Sequence, residues 1–532
     1  MGQRIFFIKT PTKFTFICTA KRIKISILDM KTLESKIYIY NTLQGKKEVF
    51  KPLVAGKVGM YVCGPTVYGE PHLGHARSAI TFDVVFRYFK FLGYQVRYVR
   101  NITDVGHLED EQNESGEDKI AKKARLEQLE PMEVAQYYTN LYRATMQKLN
   151  VSNPSIEPTA SGHIIEQIQI VQDTIKNGLA YEVNGSVYFD VQAYAQKYHY
   201  GILSGRVLED LMAGTRSLEG QSEKKHPADF ALWKKAEPEH IMQWESPWGK
   251  GFPGWHIECT AMSSKYLGIP FDIHGGGMDL KFPHHEAEIA QSIGAFGCQP
   301  VNYWMHNNMM TLDGQKMAKS KGNFISLEQM FNGTHPLLEK AYSPMNIRFF
   351  MLQAHYSSTI DFSNKALQAA ETALKRLTNS LQLLSQLPNS TATEDKEVAL
   401  AEKIKQYSQL CYDKMNDDFN TAEMIACLFE LSSVINILFN NKEKVQELSK
   451  DTLRLLQQTY QGFLVDVLGI LPEQQAQNSH LEGVMEVLIQ LRNQARKEKN
   501  YALSDAIRNA LQEKGIRIKD TKDGQTIFEM IS

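Results

Sequence analysis

The residues of this chain that could do chemistry fall into four groups. The first lies in the run Cys63-Gly-Pro-Thr-Val-Tyr-Gly-Glu-Pro-His72-Leu-Gly-His75. Its apolar approach over 58–62 predicts a short strand, and the largely apolar stretch 76–92 predicts a buried helix. Strand, glycine-rich turn and helix form the opening half of a βαβ unit. A helix beginning there offers unpaired backbone N–H groups and a partial positive charge to a phosphate beside Gly74 and His75. Two imidazoles can flank that phosphate, and Gly74 lets it approach the backbone. Isolated histidines are more often surface or satisfied core residues, so the position on the turn carries the reading.

The second group is a glycine-flanked loop, Asp313 to Asn323, with Lys316, Lys319 and Lys321. Such a run is ordinarily just solvated. Beside a phosphate site, Lys316 and Lys319 are point charges suited to stabilising a departing pyrophosphate. The third group is Phe282-Pro-His284-His285-Glu286-Ala-Glu288. His284 and Glu288 stand one helical turn apart, so a nitrogen and an oxygen can meet at one centre, a pairing that suits zinc. His285 with Glu288 fits the same spacing. Cys63 and Cys259 could add thiolates, although no standard zinc spacing joins them and small buried packing cysteines account for them equally well. The fourth group closes the chain: Arg492, Arg496, Lys497 and Lys499, followed by Tyr501 and Phe528. Between 492 and 519 there are eight Lys/Arg against three Asp/Glu. That basic surface with aromatic rings suits single-stranded RNA, with ordinary core tyrosine as the competing reading.

At 532 residues the chain is too long for one core. Its formal net charge of −1 means that a nucleic-acid partner must be met by local basic patches. Six scattered cysteines argue against a disulfide framework. No apolar run reads as a membrane span, and residues 1–35 lack the apolar segment and cleavage site of a secretory signal. They are expected to be an extension ahead of a natural start near Met30.

The elements that position these groups follow from periodicity. A second parallel strand is expected over 95–102, ending in Asn101-Ile-Thr-Asp104, whose polar residues would face the ligand crevice of a doubly wound sheet. The acidic stretch 106–117 is expected to be a solvated, loop-like insertion, and 119–150 to be helical. Mixed short elements over 151–250 are expected to interrupt the nucleotide fold. Its second half, 251–325, should contain a helix through Tyr266, a strand over 271–274 and a turn at 275–277 before Asp279. The runs 366–387, 395–410, 421–439 and 450–468 predict a helical bundle. The fold class expected is thus α/β, a Rossmann-type doubly wound parallel sheet split by a connective insertion. An α-helical bundle and a small mixed α/β C-terminal module follow it.

Seven motifs in order closely resemble the cysteinyl-tRNA synthetase family: Cys-Gly-Pro-Thr-Val-Tyr (63–68), His-Leu-Gly-His (72–75), Arg-Asn-Ile-Thr-Asp (100–104), Pro-Gly-Trp-His-Ile-Glu-Cys (253–259), His-Gly-Gly-Gly-Met-Asp-Leu (274–280), Phe-Pro-His-His-Glu (282–286) and Lys-Met-Ala-Lys-Ser (316–320). The resemblance runs from about residue 36 to the end. It implies a class I synthetase, with catalytic halves at 36–150 and 251–325, a connective insertion at 151–250, a stem-contact region at 326–385, a bundle at 386–480 and an anticodon-binding module at 481–532. It implies one zinc ion held by Cys63, Cys259, His284 and Glu288, and contacts to cysteine from Gly64, Thr103, Trp255 and Asp279. ATP, with Mg2+, is implied at His72, Gly74, His75, Lys316, Lys319 and Ser320, with His72, His75, Lys316 and Lys319 as the catalytic charges. The implied partners are ATP, L-cysteine and tRNA(Cys), the last contacted by Arg492, Arg496 and Tyr501. The resemblance further implies a cytoplasmic monomer without an editing domain.

Four features depart from the family pattern. Ala318 replaces the usual serine of the lysine loop, the acidic stretch lengthens the region after Asp104, Tyr501 stands where a stacking tryptophan is common, and Phe528 replaces another aromatic near the end. Two other readings share these motifs. A cysteine ligase acting on an amino sugar resembles only the catalytic half, so residues 481–532 speak against it. An inactive RNA-binding or structural zinc relative would not need both histidines and both lysines.

Overall fold

The computed structural model describes residues 36–110, 115–207, 223–237, 240–316, 323–472, 485, 487–496, 498, 500–520 and 526–530. The N-terminal extension, Lys319 and Ser320 lie outside the described residues.

The chain enters through the hairpin β1 (Tyr38–Asn41) and β2 (Lys46–Val49), then forms β3 (Lys57–Val62), α1 (Leu73–Phe91) and β4 (Gln95–Arg100). A second hairpin, β5 (Leu108–Asp110) with β6 (Ser115–Asp118), leads into α2 (Lys119–Glu127) and α3 (Pro131–Lys148). The interrupting segment contributes α4 (Ile164–Lys176) and four antiparallel strands, β7 (Ala180–Val183), β8 (Ser186–Phe189), β9 (Phe230–Lys235) and β10 (Gly251–Pro253). The nucleotide fold resumes with α5 (Ile257–Leu267), β11 (Phe271–Gly277), α6 (His284–Phe296) and β12 (Val301–Asn307). Next come β13 (Met310–Leu312), β14 (Gln315–Lys316), α7 (Pro344–Leu352) and β15 (Ile360–Phe362). The bundle consists of α8 (Asn364–Ser385), α9 (Val398–Asn416), α10 (Thr421–Asn440) and α11 (Lys450–Gln461), and the C-terminal module contains α12 (Tyr501–Glu513) with β16 (Ile516–Asp520) and β17 (Thr526–Met530).

The central sheet is wholly parallel, in the order β12-β11-β3-β4. Alternation along β3 explains how it is covered on both faces. Val58, Met60 and Val62 join the core that contains α1, while Tyr61 joins the one that contains Cys259 and Met262 of α5. Because β4 and β11 come from opposite halves of the fold and pair with the two edges of β3, the crevice opens at the carboxyl end of β3.

The expected turn at Gly275–Gly277 is instead the end of β11, in register with Met305–Asn307. The glycines serve close packing. A Cβ on Gly275 would stand 2.3 Å from Cε1 of Phe82 in α1, and one on Gly276 would stand 2.6 Å from Cε1 of His285. α10 has the length and apolar character of a membrane-crossing helix, contrary to the expectation that no segment does. It packs within the bundle, burying Met424, Leu428, Leu431 and Ile435.

One buried ionic centre ties α1 to α7 and to the end of the bundle. Asp83 of α1 accepts from Arg348 of α7 at 2.5 Å and from Arg87 Nε at 2.8 Å, and its other oxygen accepts from Ser152 N at 2.9 Å. Arg348 also donates to the carbonyls of Leu149 and, beyond α11, Leu468. Burial alone would raise the Asp83 carboxyl, but the two guanidinium groups hold it below its ordinary value. Arg348→Ala is therefore expected to cost about 3–5 kcal/mol in urea unfolding, because it leaves a buried carboxylate short of a partner. Lys375→Ala, which breaks an exposed helical pair with Glu371, should change little. A depressed folded-state pKa makes the Asp83 contribution fully present above about pH 4 and lost as pH falls below that, so the Arg348 effect should shrink in acid.

Candidate active site

The sheet register brings distant stretches to one point. Cys63 follows the last residue of β3 and its N–H donates to Gly275 O at 3.1 Å, which sets it beside the end of β11. Cys259 lies in the first turn of α5, and His284 and Glu288 lie one turn apart at the start of α6. Cys63 Sγ is 3.7 Å from Cys259 Sγ and 3.9 Å from Glu288 Oε1, and His284 Nε2 is 3.4 Å from both Cys259 Sγ and Glu288 Oε1. Metal–ligand bonds of about 2.0–2.3 Å arranged tetrahedrally give ligand–ligand edges of about 3.3–3.8 Å, so this donor set fits a zinc-sized cation.

A second set shares two of these donors. Cys63, His274, His285 and Glu288 also converge, with His285 Nε2 3.3 Å from Cys63 Sγ. Its His274 Nε2 to Glu288 Oε2 distance of 2.9 Å is a hydrogen-bond length, shorter than a tetrahedral edge. His285 presents its other nitrogen to His306 Nε2 at 2.8 Å, and His306 in turn reaches Thr42 Oγ1 at 2.9 Å. These contacts suit His274, His285 and His306 to orienting the ligands. His256 Nδ1 does the same for His284 Nδ1 at 3.1 Å.

Burial drives the protonation of the cluster. It pushes the Cys63 thiol up to about 11 and the Cys259 thiol well above its ordinary value. It also pushes His284 and His285 well below theirs, and His306 down to about 3. The imidazoles are therefore neutral donors, and a divalent cation is what would draw the thiols into their anionic form.

Beside this cluster a hydrogen-bonded chain links the strand ends. Gly64 N donates to Asn101 Oδ1 at 2.8 Å, Asn101 Nδ2 to Thr103 Oγ1 at 3.1 Å, and Thr103 Oγ1 to Glu258 Oε1 at 2.5 Å. Desolvation holds the Glu258 carboxyl well above its ordinary value. The half-buried Trp255 packs on His284, with ring centroids 4.5 Å apart. Gly64, Thr103 and Trp255 thus surround the cation cluster, while Asp279 is exposed on the turn that follows β11. Asn101 and Glu258 sit inside motifs visible in the sequence, so proximity to a named residue was their only signal. His306 and His107 had none.

The acidic stretch is not a solvated loop at its base. His107 is buried, with Nδ1 2.6 Å from Thr66 Oγ1 and its ring stacked on Trp255.

At the nucleotide end, the N-terminus of α1 differs from expectation. His72 is its cap: its Nδ1 accepts from Gly74 N at 3.1 Å, and His75 Nδ1 accepts from His72 N at 3.3 Å. The Gly74 N–H is therefore already engaged, and Gly74 makes room for the imidazole, since a Cβ there would meet His72 Cε1 at 2.9 Å. What remains for a phosphate is the helix dipole and the paired rings, whose centroids are 3.9 Å apart. The described residues on either side of the lysine motif come near them. Lys316 closes β14, opposite Thr311, and past the loop Phe324 packs on His72 while Leu327 N donates to Pro71 O.

In the C-terminal module Arg492 is buried at 6% exposure, which withdraws it from any surface that could meet RNA. Its basic helix was read from composition, and the side facing the core was not visible there. Arg496 and Tyr501 are exposed.

Comparison with known proteins bears on the family and the fold. A family model described as the class I (C) tRNA synthetase catalytic domain matches residues 49–372, and a DALR domain model matches 411–472. A cysteine–tRNA ligase of Phocaeicola vulgatus is 58% identical over 497 residues, covering 93% of this chain and 99% of that protein. One from Bacteroides thetaiotaomicron is 58% identical over 495 residues, covering 92% of this chain and 99% of that protein. Among solved structures, Mycobacterium tuberculosis methionyl-tRNA synthetase in complex with methionyl-adenylate superposes with a TM-score of 0.55 at 14% identity, over 78% of this chain and 92% of that one. That likeness is one of fold.

The two donor sets make different predictions. Elemental analysis of purified protein is expected to find a bound transition metal lost in His284→Ala and retained in His285→Ala; the reverse pattern would assign the second set.

Proposed function

The chain belongs to the cysteine–tRNA ligase family of class I aminoacyl-tRNA synthetases, and from that premise we propose how its own side chains divide the work. The reaction joins L-cysteine to ATP as cysteinyl-adenylate with release of pyrophosphate, then transfers the acyl group to the 3′ end of tRNA(Cys).

Cys63, Cys259, His284 and Glu288 would hold zinc, and the tetrahedral spacing of these four donors, brought together from three separate stretches, is the observation that carries the reading. When bound there, zinc supplies a soft acceptor for the substrate thiolate that a protonated serine hydroxyl does not match. Gly64, Thr103 and Trp255 would enclose the rest of the amino acid, with Asn101 and Glu258 holding Thr103, and Asp279, exposed after β11, would be the remaining contact. The cysteine carboxylate attacks the α-phosphorus of ATP, which would arrive with Mg2+. His72 and His75 lie at the positive end of α1, Lys316 closes β14, and Lys319 follows three residues later in the sequence, and these four would offset the negative charge that builds on the phosphates. Ala318 leaves both lysines in place.

Exposed Arg496 and Tyr501 are the proposed RNA contacts of the C-terminal module, and the reaction would run in the cytoplasm on a monomer. No editing step is needed, because selection rests on sulfur chemistry. A pocket reading shape alone would separate cysteine from serine by only about 1–3 kcal/mol.

Cysteine-dependent ATP–pyrophosphate exchange, and charging of tRNA(Cys) with cysteine and serine side by side, test this directly. Cysteine should be charged and serine should not, and Cys259→Ser should lose bound zinc and cysteine activation together. Wild-type adenylation by a metal-free Cys259→Ser protein would refute the zinc assignment. His75→Ala is expected to lower kcat of exchange on the order of 100-fold, with zinc content unchanged.

A further inference from the structure

The acidic stretch 106–117 takes no part in the steps above, yet both of its ends are built into the crevice. Gly106 has φ +81°, and a Cβ there would stand 2.5 Å from Pro253 O, so the first turn of the insertion lies directly on the segment that leads to Trp255. Asp118 closes the other end. One of its oxygens accepts from Gly106 N at 2.8 Å, and the other caps α2 by accepting from Ile120 N at 2.9 Å and Ala121 N at 3.1 Å. Lys119 N donates to His107 O at 2.9 Å, so the base of the hairpin is pinned from both sides.

That base presents His107, 6% exposed, with its ring centroid 4.3 Å from that of Trp255 and its plane only 9° away. The other two imidazoles against the indole, His284 and His256, are tilted by 39° and 37°. Both nitrogens of His107 are engaged. Lys119 Nζ lies 2.8 Å from Nε2, and an ammonium can only donate, so Nε2 accepts. The proton of the neutral ring therefore sits on Nδ1 and is donated to Thr66 Oγ1 at 2.6 Å. Rotating the ring out of the stack would break both bonds.

We propose that His107 is a positioning residue that fixes the plane of Trp255 as a wall of the amino-acid pocket, and that the insertion serves to deliver it. The inference rests on Trp255 being a contact for cysteine. A flat, hydrogen-bonded ring behind the indole keeps the wall close to a small substrate, and losing it lets the indole tilt and the pocket loosen.

Steady-state ATP–pyrophosphate exchange on the full-length protein tests this. His107→Ala should raise KM for cysteine roughly three- to tenfold, the range that one aromatic pair supports. Its kcat and KM for ATP should stay within about twofold, because the loss is one of uniform binding. His107→Phe keeps a flat ring without either hydrogen bond and should recover most of the cysteine affinity, whereas His107→Gln should not. Trp255→Ala, measured in parallel, should raise KM for cysteine at least as much. An unchanged KM for cysteine in His107→Ala alongside an increase in Trp255→Ala overturns the role of His107 alone. An unchanged KM in both removes Trp255 from the site and this inference with it. A loss spread equally over cysteine and ATP and not rescued by phenylalanine would show a merely structural role and also overturns it.

Discussion

Everything at the crevice depends on keeping a group of ionisable side chains dry at the end of a parallel sheet. Cys259, His284, His285, Glu288 and Glu258 are all at most 1% exposed. Polar groups removed from water are costly unless each finds a partner. Here the partners are largely one another: His274 on Glu288, His306 on His285, His256 on His284 and Thr103 on Glu258. The arrangement that makes these contacts also aims the two sulfurs, a nitrogen and an oxygen at a common centre. Mutual hydrogen bonding of this kind orients the four donors through the groups behind them.

The sheet supplies the geometry and the helices supply the walls. Because β3 is covered by α1 on one face and α5 on the other, a single strand end carries the thiol of Cys63 toward Cys259, His284 and Glu288 while the chain continues to the imidazoles at the head of α1. Nine residues, 64–72, separate Cys63 from the first residue of α1. Arg77, two residues beyond His75, donates to the carbonyls of Met351, His355, Tyr356 and Ser358. The start of α1 is thereby locked to the end of α7 and the segment after it, as the Asp83–Arg348 centre locks its middle to the end of the bundle.

The acidic insertion shows how a lengthened loop can be absorbed by a site. Its two ends converge on Asp118, and the residue next to that junction is a histidine with a flat face toward Trp255. Loops are where a fixed scaffold can gain a contact without disturbing its core.

Much was legible in the residues themselves. Local periodicity gave the strand before Cys63, the helix after His75, the paired spacing of His284 and Glu288 and the long helices of the bundle, because each reports only on neighbours along the chain. Four assignments needed the folded molecule. Gly275–Gly277 look like a turn but continue β11, since glycine is also the residue that lets Phe82 and His285 press against a strand. Gly74 looks like an opening for phosphate but houses the ring of His72. Arg492 reads as part of a basic surface but faces inward, and His107 reads as solvated but lies against an indole 148 positions later in the chain. The residue types that can do chemistry, and their order, are properties of the sequence. Which of them meet is decided by strand register and by the direction each side chain leaves the backbone, and both are fixed only when separate stretches pack together.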